Sequence, residues 1–93
     1  MPLMPAGRKK KERPTPIESK PDELAVFQQE LGRRVAEARL AKGWSPEDLA
    51  ARSGVTAQGI RNVEESRRNV LAYTVLKLAR ALGVPAGWLA FGG

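Results

Sequence analysis

The stretch from Leu49 to Glu65, LAARSGVTAQGIRNVEE, constrains the fold of this chain more than any other. Ala50 is followed four positions on by Gly54, six further by Ile60 and three further by Val63. Two short helices joined by a tight turn impose such a pattern. Where the first helix crosses the second, a side chain larger than that of Ala50 would force them apart. At Gly54 the first helix ends in a left-handed backbone conformation, which costs least in glycine. Val55, Ile60 and Val63 then anchor the second helix in a core.

The flanking sequence supplies more helices. Pro21 with Asp22 and Glu23 reads as a helix start, with acids at the positive end of the dipole. Leu24, Phe27, Leu31, Val35 and Ala38 follow as one apolar face, and Gly43 ends the helix. Ser45 is the expected cap of the second helix, with Asp48 three residues on in a capping-box arrangement and Pro46 at the first helical position. That helix runs to about Ser53. Thr56 caps a third helix reaching about Glu65. After the loop SRRNVLA, a fourth helix is expected from Tyr73 to Leu82 with Leu76, Leu78, Ala79 and Leu82 inward, ended by Gly83. Pro85 starts a short fifth helix carrying Trp88, Leu89 and Phe91. No alternating strand pattern appears, so the fold class expected is all-α, with five helices over residues 21–93. Five of the seven prolines fall within the first 21 residues, among few large apolar side chains. Residues 1–20 therefore read as a disordered basic arm, unable to bury enough surface to offset chain entropy.

The spacing within 49–65 is that of a helix-turn-helix. With Val55, Ile60 and Val63 inward, Ala57, Gln58, Arg61 and Asn62 point outward from the third helix. Gln and Asn can bind adenine bidentately, Arg can bind guanine, and Ala57 can meet a thymine methyl. Thr56 and the helix N-terminus offer hydroxyl and amide donors to a phosphate. Gly59 costs ~1 kcal/mol against alanine inside a helix. Close approach to DNA or to the second helix would each explain it. Arg61 can equally pair with Glu64 or Glu65, three and four positions on.

Leu31 to Gly92 resembles the lambda-repressor/Cro (XRE) family of helix-turn-helix regulators. The resemblance lies in LGRRVAEARLAKGWS, SPEDLAARSGVTAQGIRNVEES and LKLARALGVPAGWLAFG. It implies a five-helix lambda-repressor-like domain whose third helix enters the major groove, and homodimers on operators with two half-sites. The family's base-contacting positions fall on Ala57, Gln58, Arg61 and Asn62. Its phosphate contacts fall on Ser45 and Pro46 and on the loop residues Arg67, Arg68 and Asn69. Some members carry a basic arm that embraces the DNA, which GRKKKERP resembles, with Arg8, Lys9, Lys10, Lys11 and Arg13 as the contacts. Three positions depart from the pattern: Pro46 and Ala57 each stand where glutamine is common, and Glu64-Glu65-Ser66 replaces Glu-x-Gly.

Composition agrees with an anionic partner. The net charge is +6, of which Met1–Glu23 contributes +2 and the remainder +4. A small basic chain is drawn to nucleic acid first and anionic membrane second. No run of ~18 apolar residues is present to span a bilayer. The chain has no histidine and no cysteine, which removes the commonest general base, thiolate nucleophiles and a favoured metal ligand. An enzyme, a cofactor and a metal site are accordingly not expected.

These readings predict a cytoplasmic, sequence-specific double-stranded DNA-binding transcriptional regulator, a repressor acting as a homodimer, prokaryotic nucleoid-associated or encoded by a phage or plasmid. Trp88, Leu89 and Phe91 are the expected dimer seam, and half-site centres should lie ~10 bp apart. With the sequence ending soon after the fifth helix, occupancy is expected to follow protein concentration or a partner, not a bound effector. Glu47, Asp48 and Glu64 are candidate polymerase contacts should the regulator activate. Two alternatives stand beside this reading: an antitoxin whose arm folds on a toxin partner, and a protein-binding adaptor without DNA specificity.

Overall fold

Helix ends are set by local chemistry in a computed structural model that describes residues 21–67 and 69–92. Five helices form: α1 (Pro21–Ala41), α2 (Pro46–Ser53), α3 (Ala57–Glu64), α4 (Ala72–Leu82) and α5 (Ala86–Phe91). No strand occurs among the described residues. The expected arm, residues 1–20, lies outside them.

The Ser45 hydroxyl accepts from the Asp48 N–H at 3.0 Å, and the Asp48 carboxylate accepts from the Ser45 N–H at 2.9 Å. This reciprocal box starts α2, with Pro46 at its first position. Gly54 ends it at φ 80°, ψ 5°, as the turn pattern requires. α3 opens with the Thr56 hydroxyl accepting from the Gly59 N–H at 2.9 Å. Two starts differ by one residue from expectation. α4 begins at Ala72, and α5 begins at Ala86 with Pro85 as its cap.

The core is made by Leu31 and Val35 of α1, Leu49 of α2, Ile60 and Val63 of α3, Leu78 and Leu82 of α4, and Leu89 of α5. Burying such side chains stabilises by ~1.5–3 kcal/mol each before entropy is counted. α1 packs on α3 and α5, α2 on α3 and α4, and α4 on α5. Ala50, Val55, Trp44 and Trp88 pack against this core half-buried.

Two core expectations need correction. On α4 the buried stripe is Val75, Leu78, Ala79 and Leu82, and Leu76 lies half-buried at its edge. Offsets of three, four and seven from Val75 make the truer helical stripe. On α1, Leu24 and Phe27 keep 44% and 38% of their surface exposed although they continue the stripe of Leu31 and Val35. Phe27 meets only the edge of the fold, its ring 6.0 Å from that of Phe91.

α1 reaches α3 closely at Gly32. A Cβ there would sit 2.4 Å from the Val63 carbonyl oxygen and 2.9 Å from that of Glu64. Backbone meets backbone at this crossing, and only glycine fits.

Candidate DNA-reading surface

α3 is held from beneath by apolar contacts and from its C-terminal end by charge. Ile60 and Val63 are buried. Arg39 of α1, itself nearly buried, donates from Nε and Nη2 to the two carboxylate oxygens of Glu64 at 2.8 and 3.0 Å. Its Nη1 donates to the Trp44 carbonyl at 2.7 Å, so one guanidinium ties α1, the α1–α2 turn and α3 together. The hydrogen bond to Glu64 raises the Arg39 pKa above its ordinary value, while burial acts against it.

The four expected base readers lie along the remaining surface of α3. Gln58 is exposed, and Ala57, Arg61 and Asn62 are half-buried. Gln58 donates to the Asn62 Oδ1 at 3.1 Å, so these two amides are neighbours one turn apart. Arg61 does not pair with Glu64 or Glu65. Glu64 is taken by Arg39, and Glu65 pairs with Arg67 at 2.7 Å. Arg61 pairs instead with Glu47 on α2. No acid lies in the first turn of α3, which leaves its positive dipole end uncompensated.

Among the expected phosphate contacts, Ser45 and Thr56 are exposed caps whose oxygens accept from backbone. Each hydroxyl proton remains free to donate outward. Pro46 is half-buried at the start of α2, and Arg67 is exposed. Asn69 is exposed and accepts from Gln28 of α1 at 2.7 Å, which ties the loop after α3 to the first helix. Arg68 and the arm residues Arg8, Lys9, Lys10, Lys11 and Arg13 lie outside the described residues.

Gly59 meets a further constraint beside the two expected. A Cβ there would lie 3.0 Å from the Thr56 hydroxyl and 3.3 Å from Val55, against the cap and the turn. The helix also ends as its sequence departs: Ser66, standing where glycine is usual, takes φ 61° in the left-handed region. Glu64 is committed to Arg39 and is not a free acidic contact for polymerase.

The expected dimer seam divides. Leu89 is fully buried in the chain's own core and is unavailable to a partner, because α5 turns it toward α1 and α4. Phe91 is 75% exposed and Trp88 half-buried. Arg34, which sequence reasoning missed, caps this end by donating from Nε to the Leu89 carbonyl and from Nη2 to that of Ala90, both at 2.9 Å. The one sequence signal for Arg34 and Arg39 was their place beside or within the α1 apolar stripe, where a charge needs a partner.

Comparison with known proteins agrees with this geometry. A family model described as helix-turn-helix (HTH_3) matches residues 35–89. An uncharacterized HTH-type transcriptional regulator, y4dJ of Sinorhizobium fredii, is 41% identical over 54 residues, covering 58% of this chain and 70% of that protein. A hypothetical transcription factor of Neisseria meningitidis is 42% identical over 48 residues, covering 52% of this chain and 45% of its own length. Among solved structures, the Neisseria hypothetical transcription factor NHTF superposes with a TM-score of 0.67 at 34% identity, over 70% of this chain and 75% of that one. The restriction-modification controller protein C.AhdI of Aeromonas hydrophila gives 0.66 at 39% identity, over 69% and 97%.

Proposed function

The chain belongs to the helix-turn-helix (HTH_3, XRE-type) family of transcriptional regulators, and from that premise we propose that it represses transcription as a homodimer bound to a two-half-site operator. α3 enters the major groove of double-stranded DNA. Gln58, Arg61 and Asn62 read base edges, with Ala57 against a thymine methyl. Ser45, the α2 start at Pro46, Thr56, Arg67, Arg68 and Asn69 contact phosphates, and the basic residues of the 1–20 arm add salt-dependent affinity.

The observation that carries this reading is the composition of α3's free surface. Two amides and one guanidinium stand on a helix whose acid, Glu64, is withdrawn into a pair with Arg39. Similarity to a restriction-modification controller protein supports a regulatory role of this kind. Trp88 and Phe91 form the dimer seam, with Leu89 supporting it from the core side. No described helix is long and apolar enough to cross a membrane. A cytoplasmic location suits such a regulator. A protein partner is the second reading, favoured by the exposed apolar side chains Leu24, Val26 and Phe27 on α1.

Selection of bound sites from a random duplex pool at near-physiological salt tests the proposal, using the full chain and one lacking residues 1–20. An inverted repeat with half-site centres ~10 bp apart is expected. The truncation should lower affinity at an unchanged motif. Arg61→Ala should cost ~1–3 kcal/mol of discrimination at one position of the motif. No enriched motif at any salt would overturn the proposal in favour of a protein partner.

A further inference from the structure

Arg61 is the sole cation on α3, and it is tied by a largely exposed carboxylate from the neighbouring helix. Resting on the DNA-binding reading above, we propose that Glu47 is a positioning residue for Arg61: it holds the guanidinium toward a base edge and keeps it from the phosphates.

The pair contributes little to the fold. The side chains are 41% and 61% exposed, a setting in which ion pairs add little to stability. α2 and α3 are already fixed to each other and to α1 by Leu49, Ile60, Val63 and the Arg39–Glu64 pair. Glu47 is nevertheless kept ionised. The hydrogen bond from its own backbone N–H at the start of α2, and then that from Arg61, hold its carboxyl below the usual carboxylate range.

A free guanidinium at this position meets phosphates on every sequence, and guanine on few. Contacts to phosphate strengthen binding everywhere and carry no sequence information. Pairing with Glu47 changes both terms. The pair is neutral as a unit, so it adds little to counterion release. It also fixes the fork in direction, and the donors that Glu47 leaves free can meet guanine O6 and N7 together. Glu47 thereby lowers affinity for random DNA more than for the operator. That difference is specificity.

The test uses the full chain as wild type, Glu47→Gln, Arg61→Ala and the double variant. Each is titrated against a duplex carrying the selected motif and a random duplex, over a range of salt. Glu47→Gln should bind random duplex about tenfold tighter and steepen its salt slope by about one. Motif affinity should change much less, so the motif-to-random ratio falls about tenfold. In the Arg61→Ala background, Glu47→Gln should leave that ratio unchanged. Should Glu47→Gln raise both affinities equally, or shift the ratio by the same factor without Arg61, Glu47 is only a surface charge and the inference is overturned. A wild-type chain that prefers no duplex overturns the DNA-binding reading itself and the inference with it, an outcome separate from the first two.

Discussion

Arg39–Glu64 and Arg61–Glu47 both fasten α3 to another helix through a guanidinium and a carboxylate, yet they sit in opposite environments. The first pair keeps 11% and 13% of its side-chain surface exposed, forms a two-pronged fork and adds a third bond to the Trp44 carbonyl. The second lies in the open at the candidate reading surface. Desolvation decides the difference. Out of water each charge of the first pair depends on the other, so removing one strands its partner. In water each member of the second pair is solvated with or without its mate. The same chemistry thus sets the angle of α3 from below and orients what α3 displays above.

The largest effects should come from breaking the inner fastening. Arg39→Met leaves Glu64 and the Trp44 carbonyl without their donor and should destabilise by about 3 kcal/mol or more. For a small domain that is a large share of total stability. Urea unfolding measures it, and Arg39→Met with Glu64→Gln should recover part of the loss. A loss near zero would mean that the pair is effectively solvated, and the contrast would fail. Gly32→Ala acts on the same crossing by steric means. Its new Cβ meets the backbone carbonyls of Val63 and Glu64, which cannot swing aside as a side chain would. A cost of about 2 kcal/mol is expected, with α3 displaced. Thermal melting gives the first part, and weakened motif binding by the folded fraction gives the second.

A smaller effect of opposite sign lies where α3 ends. Ser66 occupies a left-handed conformation at φ 61°, which glycine adopts without a Cβ penalty. Ser66→Gly should therefore stabilise by up to about 1 kcal/mol, after allowance for the greater freedom glycine has when unfolded. A rise in melting temperature checks it. A fall would show that the Ser66 side chain contributes something that its backbone conformation does not reveal.

Both fastenings illustrate what could be read from the chain alone. Helix ends were legible because their chemistry is local: Ser45 and Asp48 are three residues apart, and Thr56 reaches Gly59. The off-core side of α3 was legible from the spacing of Val55, Ile60 and Val63. Partners were not. Arg39 finds Glu64 across 25 positions, Gln28 finds Asn69 across 41, and Arg34 finds the Leu89 carbonyl across 55. Nothing local distinguishes Glu64 from Glu65 as a mate for Arg61, and tertiary packing gave Arg61 a third carboxylate, Glu47. Periodicity likewise named the inward face of α1 without showing how far its covering layer extends. Leu24 and Phe27 share the stripe of Leu31 and Val35 but lie beyond most of the neighbouring helices.

Salt and pH separate the two pairs with the smallest effects of all. Raising ionic strength from about 0.1 M to about 1 M shortens the Debye length from ~10 Å to ~3 Å, which screens exposed charges and spares buried ones. The penalty of Arg39→Met should persist across that range. Glu47→Gln should shift the urea midpoint only slightly at low salt and less still at high salt. Acid acts on the exposed carboxylates in a defined direction. Glu47 and Asp48 both titrate below their ordinary values of 4.5 and 3.8, Asp48 because it accepts from the Ser45 N–H. A carboxyl depressed in the folded state stabilises it above the unfolded pKa, and that contribution is lost as pH falls through the folded one. Wild type should lose the capping-box contribution as the pH drops below about 4, and Asp48→Asn should lack that part of the acid limb. A midpoint for Glu47→Gln that shifts as strongly as that of Arg39→Met, and just as independently of salt, would make the outer pair a structural element like the inner one.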